Sequence, residues 1–237
     1  MLSIIIPTLN EEDYLPLVLA SIKHQKFTDY EVIVADAGSK DKTLEIARQY
    51  HCVVTEGGLP ARGRNNGAKV AKGDVLFFLD ADSILPDDFF TKALNEYSAR
   101  TLDLASFCLH PFPEKPLSTF LVKVFYNWLI VASEKILPHA AVGVLVKRDL
   151  FETLNGYDET IMLAEDHDLG RRAAKVARFG IIRSVEIFVS DRRYKTDGFF
   201  SVGMKYFFCE LYTIFIGPVR SNMFRYKFAH YKKPKSE

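Results

Sequence analysis

Two aspartates one residue apart, Asp80 and Asp82, are the residues whose type and spacing most clearly suit chemistry in this sequence. They follow an apolar run at residues 75–79, which predicts a buried strand that ends at the pair. Ligands bind beyond the carboxyl ends of strands in open α/β sheets, and a hard divalent cation would relieve the repulsion between two carboxylates placed there. The alternative is a polar turn, in which aspartate is common.

Three more charged residues are predicted near the ends of neighbouring elements. Asp36 ends the second predicted strand, where a carboxylate can accept hydrogen bonds from a ribose or a base edge. Arg62 and Arg64 lie near the start of a predicted helix just before the aspartate pair, where they can meet phosphate oxygens. The alternatives are a turn acid for Asp36 and a solvated basic face for the two arginines.

A further set of polar residues lies in the later part of the chain. Glu165 and Asp166 fall near the start of a predicted helix, and a carboxylate in a closed site can act as a general base. Acids at a helix start also stabilise the helix dipole, which is the alternative for this pair. His167 can contact a metal or a phosphate, and Arg192 with Arg193 can bind a pyrophosphate or an acceptor phosphate. For these three residues the alternative is an exposed surface position.

The order of predicted elements supplies a scaffold for these side chains. Strands are predicted at residues 3–6, 30–35, 51–55 and 75–79, with a helix after each of the first three. This alternation predicts an α/β fold with a mainly parallel central sheet flanked by helices. Later helices are predicted at residues 117–136, 163–179 and 201–216, and a strand at residues 139–146.

The composition excludes several classes of protein. The chain has 237 residues, of which 48% are apolar and 26% are charged, and its net charge of +1 gives no argument for nucleic acid. Three scattered cysteines show neither a disulfide framework nor a metal spacing, which favours a reducing compartment and hence the cytoplasm. The sequence has no uninterrupted apolar stretch of about 18 residues, the usual length of a spanning helix.

Two segments nevertheless favour contact with a membrane surface. Residues 117–136 and 198–219 are apolar along a wide face but are interrupted by charges, including Lys123 and Glu210. A basic tail follows from Arg220. Such helices are typical of the membrane interface, here on the cytoplasmic face, rather than of a span. The alternative is that they pack in the core or in a homodimer.

Four blocks of sequence, in the same order, carry a resemblance to a known family. The blocks are residues 3–12 (SIIIPTLNEE), 34–43 (VADAGSKDKT), 65–68 with 73–82 (NNGA and GDVLFFLDAD), and 151–159 with 165–172 (FETLNGYDE and EDHDLGRR). Over about residues 3–180 the chain resembles the family 2 glycosyltransferases, which have the GT-A fold. The resemblance implies a glycosyltransferase domain at residues 1–195, followed at 196–237 by an aromatic helix and the basic tail.

The resemblance implies an enzyme that transfers a sugar, with inversion, from a nucleotide diphosphate sugar to a hydroxyl or phosphate acceptor. At a membrane surface that acceptor would be lipid-linked. Asp166 would be the general base, and Asp82 would bind Mg²⁺ or Mn²⁺. Contacts with the donor are implied for Pro7, Thr8, Leu9, Glu11, Asp36, Arg62, Asn66, Asp80, Ala81 and Asp82. From the residue types and positions given above, contacts with the acceptor or a phosphate are predicted for Glu165, His167, Arg192 and Arg193.

The sequence also departs from the family pattern. Leu9 stands where many members have an aromatic residue that stacks on the base, and Ala37 replaces a second aspartate. A Gln-x-x-Arg-Trp motif is missing, which disfavours a processive synthase. Two alternatives stay open. A sugar-phosphate nucleotidyltransferase would need a glycine-rich loop after the first strand, and a non-catalytic nucleotide-sugar-binding or scaffold protein would not need the aspartates.

Overall fold

The computed structural model of the chain describes residues 1–140 and 142–224. The strands are β1 (Leu2–Thr8), β2 (Tyr30–Asp36), β3 (Val53–Glu56), β4 (Val75–Phe78), β5 (Ser83–Ile84), β6 (Leu104–Phe112), β7 (Val144–Lys147) and β8 (Phe179–Ser190). The first helices are α1 (Leu15–Lys23), α2 (Thr43–Gln49), α3 (Pro60–Val70), α4 (Phe89–Ala99) and α5 (Pro116–Leu121). A π-helical segment, Val122–Asn127, leads into α6 (Trp128–Ser133), α7 (Arg148–Thr153), α8 (Glu165–Ala174), α9 (Arg192–Asp197) and α10 (Phe199–Phe215).

One mixed sheet contains all eight of these strands, in the order β3-β2-β1-β4-β7-β6-β8-β5. The half formed by β1 to β4 is parallel, as the alternation of strands and helices predicts. In the other half, β7 runs antiparallel to both β4 and β6, and β5 runs antiparallel to β8, whereas β6 and β8 are parallel. Sequence patterns did not predict this mixture, because an apolar run does not reveal the direction of its strand.

The central strands are buried on both faces. Ile4, Ile6 and Phe77 pack on one face with helices α1 and α4, and Phe77 is in ring contact with Phe89 of α4 and Phe107 of β6. On the other face, Ile5, Leu76 and Phe78 pack against α3 and α8. The residues buried with them there include Ala61, Ala68, Tyr157 and Leu169. This packing fixes the position at which β4 ends, and Asp80 lies just beyond that end.

Several boundaries differ from the sequence prediction. The helix predicted at residues 117–136 is divided by the π-helical segment, and the helix predicted at 163–179 ends at Ala174 because β8 begins at Phe179. The strand predicted from residue 139 begins only at Val144. Before it, Gly143 has a positive φ of 60° and its α-carbon faces Ile187, so a side chain there would be strained and crowded.

The C-terminal helix packs against the domain rather than extending away from it. Cys209 on α10 is buried with Leu163 and Val219. Leu163 and Val219 also form an isolated antiparallel bridge with each other. Among the described residues, no helix has both the length and the apolar character needed to cross a membrane. The part of the predicted basic tail after residue 224 lies outside the described residues.

Candidate active site

The two aspartates lie directly after β4, on either side of the buried Ala81. The Asp80 carboxylate is half exposed, at 47% of its side-chain surface, whereas Asp82 is recessed, at 18%. Burial raises the pKa of Asp82 above its usual value, the charge of Asp80 adds to this rise, and the charges of Arg192 and Arg193 oppose it. A cation beside this recessed carboxylate therefore stabilises its ionised form.

Arg192, the first residue of α9, provides such a cation. Its Nε donates to Oδ2 of Asp82 at 2.9 Å, and its two terminal nitrogens donate to the two carboxylate oxygens of Glu11 at 2.7 and 2.8 Å. The guanidinium also lies 4.5 Å from the ring centroid of Tyr14. Glu11 has a raised pKa because it is buried, and Arg192 opposes that rise. The sequence prediction placed Arg192 on a phosphate, whereas here it bridges two carboxylates.

Arg64 connects the aspartate pair with the predicted base. From α3, its Nη2 donates to Oδ1 of Asp80 at 2.9 Å and lies 3.4 Å from Oδ2 of Asp166, while Nη1 pairs with Glu165. The guanidinium is buried and lies 5.4 Å from the ring centroid of Tyr157. One cation thus holds three carboxylates from two separate parts of the chain.

Two residues of α3 that were predicted to contact the donor bond to Glu56 in this structure. Arg62 is exposed and pairs with Glu56 at 3.1 Å, and Asn66 donates to the backbone carbonyl of Glu56. At 3.6 residues per turn, these two residues lie on a different side of α3 from Arg64. Asn65, not Asn66, reaches the later half of the chain, where it exchanges two hydrogen bonds of 2.9 Å with the backbone of Tyr157.

A sequence signal for Arg64 exists in retrospect. The side of α3 that faces the sheet carries Ala61, Gly67 and Ala68, and Arg64 lies three residues after the first and four before the last. A side chain at Gly67 would collide with Ile5 of β1, so this side lies directly on the strand. A long cation within a stripe of small residues indicates a buried partner, since an unpaired charge there would be costly.

Asp166 lies in the first turn of α8, with only 14% of its side chain exposed. Burial raises its pKa to about 7, with Glu165 and Asp80 adding to the rise and Arg64 opposing it. The hydroxyl of Tyr157 is buried beside Asp166, and its interaction with the carboxylate also opposes the rise in pKa. A largely buried carboxylate with a pKa near neutrality can accept a proton under ordinary conditions.

Asp36 organises the loops at the ends of β1 and β2. Its carboxylate accepts hydrogen bonds from the Thr8 hydroxyl at 3.0 Å and from the backbone amides of Gly38 and Ser39 at 3.0 and 2.8 Å. The side chain of Asn10 accepts from the amide of Lys40 at 2.9 Å, which ties the two loops together. Pro7 and Leu9 lie half-buried in the same loop region.

The remaining predicted contacts divide between two places. Glu165 belongs to the Arg64 network, whereas His167 points to a separate group formed with His139 and Glu210. The charge of Arg193 lowers the pKa of Asp82, so it acts on the aspartate pair. The ends of β1, β2 and β4 therefore bring together the predicted donor residues Thr8, Glu11, Asp36, Asp80, Ala81 and Asp82, with Asp166 across Arg64 from them.

The donor atoms at the end of β4 suit a hard divalent cation. Mg²⁺ and Mn²⁺ prefer oxygen ligands, and Asp80 and Asp82 offer carboxylate oxygens in the short segment between β4 and β5. The bond from Arg192 to Asp82 also shows that positive charge is favoured at this point. Asp82, with Asp80 beside it, would hold such an ion.

The fold defines the class of protein. A mannosyltransferase from Pyrobaculum calidifontis, solved with GDP-mannose and Mn²⁺, superposes with a TM-score of 0.71 at 22% identity, covering 87% of this chain and 61% of that one. The Staphylococcus aureus protein TarS, residues 1–349, solved with UDP-GlcNAc, superposes with a TM-score of 0.64 at 22% identity, covering 81% of this chain and 58% of that one. The chain therefore has the predicted GT-A fold of nucleotide-sugar-dependent transferases.

Sequence comparison identifies the family within that class. The model of glycosyl transferase family 2 matches residues 3–141, so the chain belongs to this family, as the sequence motifs predicted. The O-antigen chain rhamnosyltransferase RfbN of Salmonella typhimurium is 29% identical over 198 residues, which is 76% of this chain. The match spans 62% of the length of RfbN. The poly(ribitol-phosphate) β-N-acetylglucosaminyltransferase TarS of S. aureus is 36% identical over 93 residues, 35% of this chain and 16% of that protein.

Proposed function

We propose that this protein transfers a sugar from a nucleotide diphosphate sugar to an acceptor, with inversion at the anomeric carbon. The observation that carries the proposal is the buried Arg64, which joins Asp80 of the aspartate pair to Asp166. Relatives named as rhamnosyl- and N-acetylglucosaminyltransferases support it, as do similar folds solved with GDP-mannose and UDP-GlcNAc.

The residues divide the work between the two halves of the reaction. A divalent cation held by Asp82 would stabilise the negative charge of the departing nucleoside diphosphate. Asp166 takes the proton of the acceptor hydroxyl as the acceptor oxygen bonds to the anomeric carbon and the bond to the diphosphate breaks. Arg64 holds Asp166 in place and keeps its pKa from rising further.

The acceptor in this proposal is a lipid-linked one, delivered at a membrane surface. Helices α6 and α10 and the π-helical segment before α6 expose large apolar side chains, among them Phe125 at 64%, Trp128 at 67% and Phe215 at 79%. A single soluble domain rarely exposes so many large aromatic groups without a partner. Lys123 and the basic residues from Arg220 onward would add attraction to anionic lipids.

Polar contacts support placing this apolar surface near the base. The hydroxyl of Tyr126, between Phe125 and Trp128, lies 3.2 Å from Nε2 of His139. Glu210 of α10 lies 2.8 Å from His167, which follows Asp166 on α8. A lipid anchor held at this surface would therefore bring its head group toward the helix that carries Asp166.

A transfer assay tests the proposed function. The protein is incubated with Mn²⁺ and a panel of UDP-, GDP- and dTDP-sugars, with and without membrane lipid extracts as acceptor. Release of one nucleoside diphosphate that is stimulated by lipid, and that is lost in Asp166→Asn, is the expected result. No turnover with any donor, combined with no nucleotide binding, would favour the non-catalytic alternative.

A vesicle flotation assay tests the membrane part separately. The double variant Phe125→Ser/Trp128→Ser should bind vesicles containing anionic lipid at least tenfold more weakly than the parent protein. Leu17→Ser is the matched control, because Leu17 is an exposed apolar residue on α1, away from this surface. Equal binding of all three proteins would contradict the proposal, and so would a stable homodimer that only the double variant disrupts.

A further inference from the structure

A second group of ligating side chains lies beside the candidate active site. His139, before β7, His167 of α8 and Glu210 of α10 each offer one ligand atom, and these atoms all lie within 4.8 Å of one another. Nδ1 of His167 lies 2.8 Å from Oε2 of Glu210, and Nδ1 of His139 lies 3.8 Å from Oε1. This group, here the His–His–Glu cluster, has no role in the proposed transfer reaction.

The side chains of the cluster are of the types that bind transition metals. Burial lowers the pKa of His167 to about 4, so its imidazole is neutral and has a lone pair to donate. Burial alone would raise the pKa of Glu210, but hydrogen bonds from the two histidines hold it well below the usual range. Two imidazoles and one carboxylate are a donor set that zinc ions take in many proteins.

The surroundings also fix the ligand geometry. Nε2 of His139 bonds to the hydroxyl of Tyr126, which leaves Nδ1 directed toward Glu210. A hydrogen bond on the far nitrogen of the ring is the usual way in which proteins orient a ligating histidine. A tetrahedral zinc ion with bonds of about 2.0–2.2 Å keeps its ligand atoms roughly 3.4 Å apart, so only small side-chain shifts separate the cluster from that geometry.

We propose that His139, His167 and Glu210 form a transition-metal site, with zinc-class ions as the ligand, distinct from the ion held by Asp82. The bound ion joins the loop before β7, the helix that carries the base, and the C-terminal helix. It therefore fixes α10 and its apolar surface against α8. The site leaves a fourth coordination position for water.

Arg171 is the group that competes with the ion. Its Nη2 donates to Oε1 of Glu210 at 2.6 Å, so in the absence of metal the guanidinium neutralises the carboxylate. A divalent ion bound to Oε2 of Glu210 is repelled by this positive charge unless the guanidinium moves away. The pairing predicts that removal of the guanidinium tightens metal binding, which a purely structural hydrogen-bond network would not do.

The test uses Asp82→Asn as the background, so that the candidate donor site contributes little to metal binding. This variant is titrated with Zn²⁺ and with Co²⁺, whose visible absorption reports four-coordinate geometry. One equivalent of Zn²⁺ should bind with micromolar or tighter affinity and raise the melting temperature by about 5 °C near saturation. His139→Gln and His167→Gln should each weaken binding at least tenfold, whereas Arg171→Gln should tighten it.

The outcomes separate this proposal from the proposed function. No stoichiometric Zn²⁺ binding, or binding that both histidine variants leave unchanged, would overturn the metal site and leave the transferase assignment intact. Glu210→Gln is a further variant, with circular dichroism to check folding, and the histidine variants decide the matter if it unfolds. Loss of glycosyl transfer with intact Zn²⁺ binding would overturn the transferase assignment alone.

Discussion

The guanidinium of Arg192 bonds to the carboxylate of Asp82, with Nε 2.9 Å from Oδ2, and thereby places a protein cation where the family resemblance places a metal ion. The same guanidinium forms a bidentate pair with Glu11, 181 residues away in sequence. In the proposed reaction, a metal ion held by Asp82 would take over the neutralisation of that carboxylate. Arg192 would then be available to the phosphate oxygens, which is the contact predicted from the sequence.

Arg192→Gln should destabilise the protein in the absence of ligand. The change leaves Glu11 and Asp82 buried without their cation, and breaking a buried ion pair costs about 3 kcal/mol. Mn²⁺ should restore part of this loss, because it can neutralise Asp82. Urea unfolding with and without Mn²⁺ measures both effects. Lys195→Gln on the same helix is the control, since the Lys195 side chain is 56% exposed and its partner Asp191 keeps a second ion pair with Lys115. An equal loss of stability with and without Mn²⁺ would contradict the exchange of cations.

Asp82→Asn should abolish the Mn²⁺-dependent part of nucleotide binding. The recessed carboxylate is the stronger candidate ligand, and its amide is neutral and a poorer oxygen donor for a hard cation. Thermal shifts with UDP and GDP, each with Mn²⁺ or with EDTA, report the difference. Asp87→Asn serves as the control because Asp87 is exposed, with 86% of its side-chain surface accessible. A Mn²⁺-dependent shift that survives in Asp82→Asn would show that the ion lies elsewhere.

The pH dependence of transfer should follow the ionisation of Asp166. With a pKa raised to about 7 by burial, the base is protonated below that pH, so kcat/KM should fall about tenfold per pH unit below 7 and level off above it. Asp166→Asn should lower kcat by about 10²–10⁴-fold. Initial rates across pH 5–9 measure the profile, and a flat profile through pH 7 would contradict the assignment of the base.

Arg64 should tune that profile, because its charge opposes the rise in the pKa of Asp166. Arg64→Met should move the acidic limb of the pH–rate profile to higher pH, and Arg62→Met, which removes a surface ion pair, should leave it in place.

The folded-state pKa of Asp166 lies above the unfolded value of 3.8. The folded state therefore binds more protons between about pH 4 and 7, and the contribution of Asp166 to stability falls as pH rises through that window.

The parallel half of the sheet was predictable from the sequence, and the other half was not. Residues 4–6 and 75–79 are apolar without interruption because both faces of β1 and β4 are covered. Pairings of β7 with β4 and β6 join residues far apart in sequence, and no local pattern encodes them. The π-helical segment likewise follows from tertiary packing, since Asn127 within it bonds to both backbone groups of Leu109.

The site was predictable where sequence position fixed it, at the ends of strands. Asp36 lies at the end of β2, and Asp80 and Asp82 lie after the end of β4, as the sequence pattern predicted. Contacts between distant parts of the chain were harder to predict. The burial of Arg64 depends on which side of α3 meets the sheet, and the pairing of Arg192 with Glu11 depends on where α9 begins. Charged residues at such long-range contacts look like surface residues in the sequence.

Gly67→Ala should impair both stability and transfer, although alanine favours helices by about 1 kcal/mol over glycine. The new methyl group would collide with the side chain of Ile5, so α3 must move away from β1, at a cost of about 1–3 kcal/mol for overpacking. Because Arg64 lies one turn earlier on the same helix, this movement should also weaken its hold on Asp166 and lower kcat.

Gly203→Ala on α10 is the matched control. Its β-carbon would meet no atom within 4 Å, so alanine should stabilise that helix by up to about 1 kcal/mol and leave kcat unchanged. Urea unfolding and initial rates on the two variants measure the contrast, and equal behaviour would contradict the close approach of α3 to the sheet.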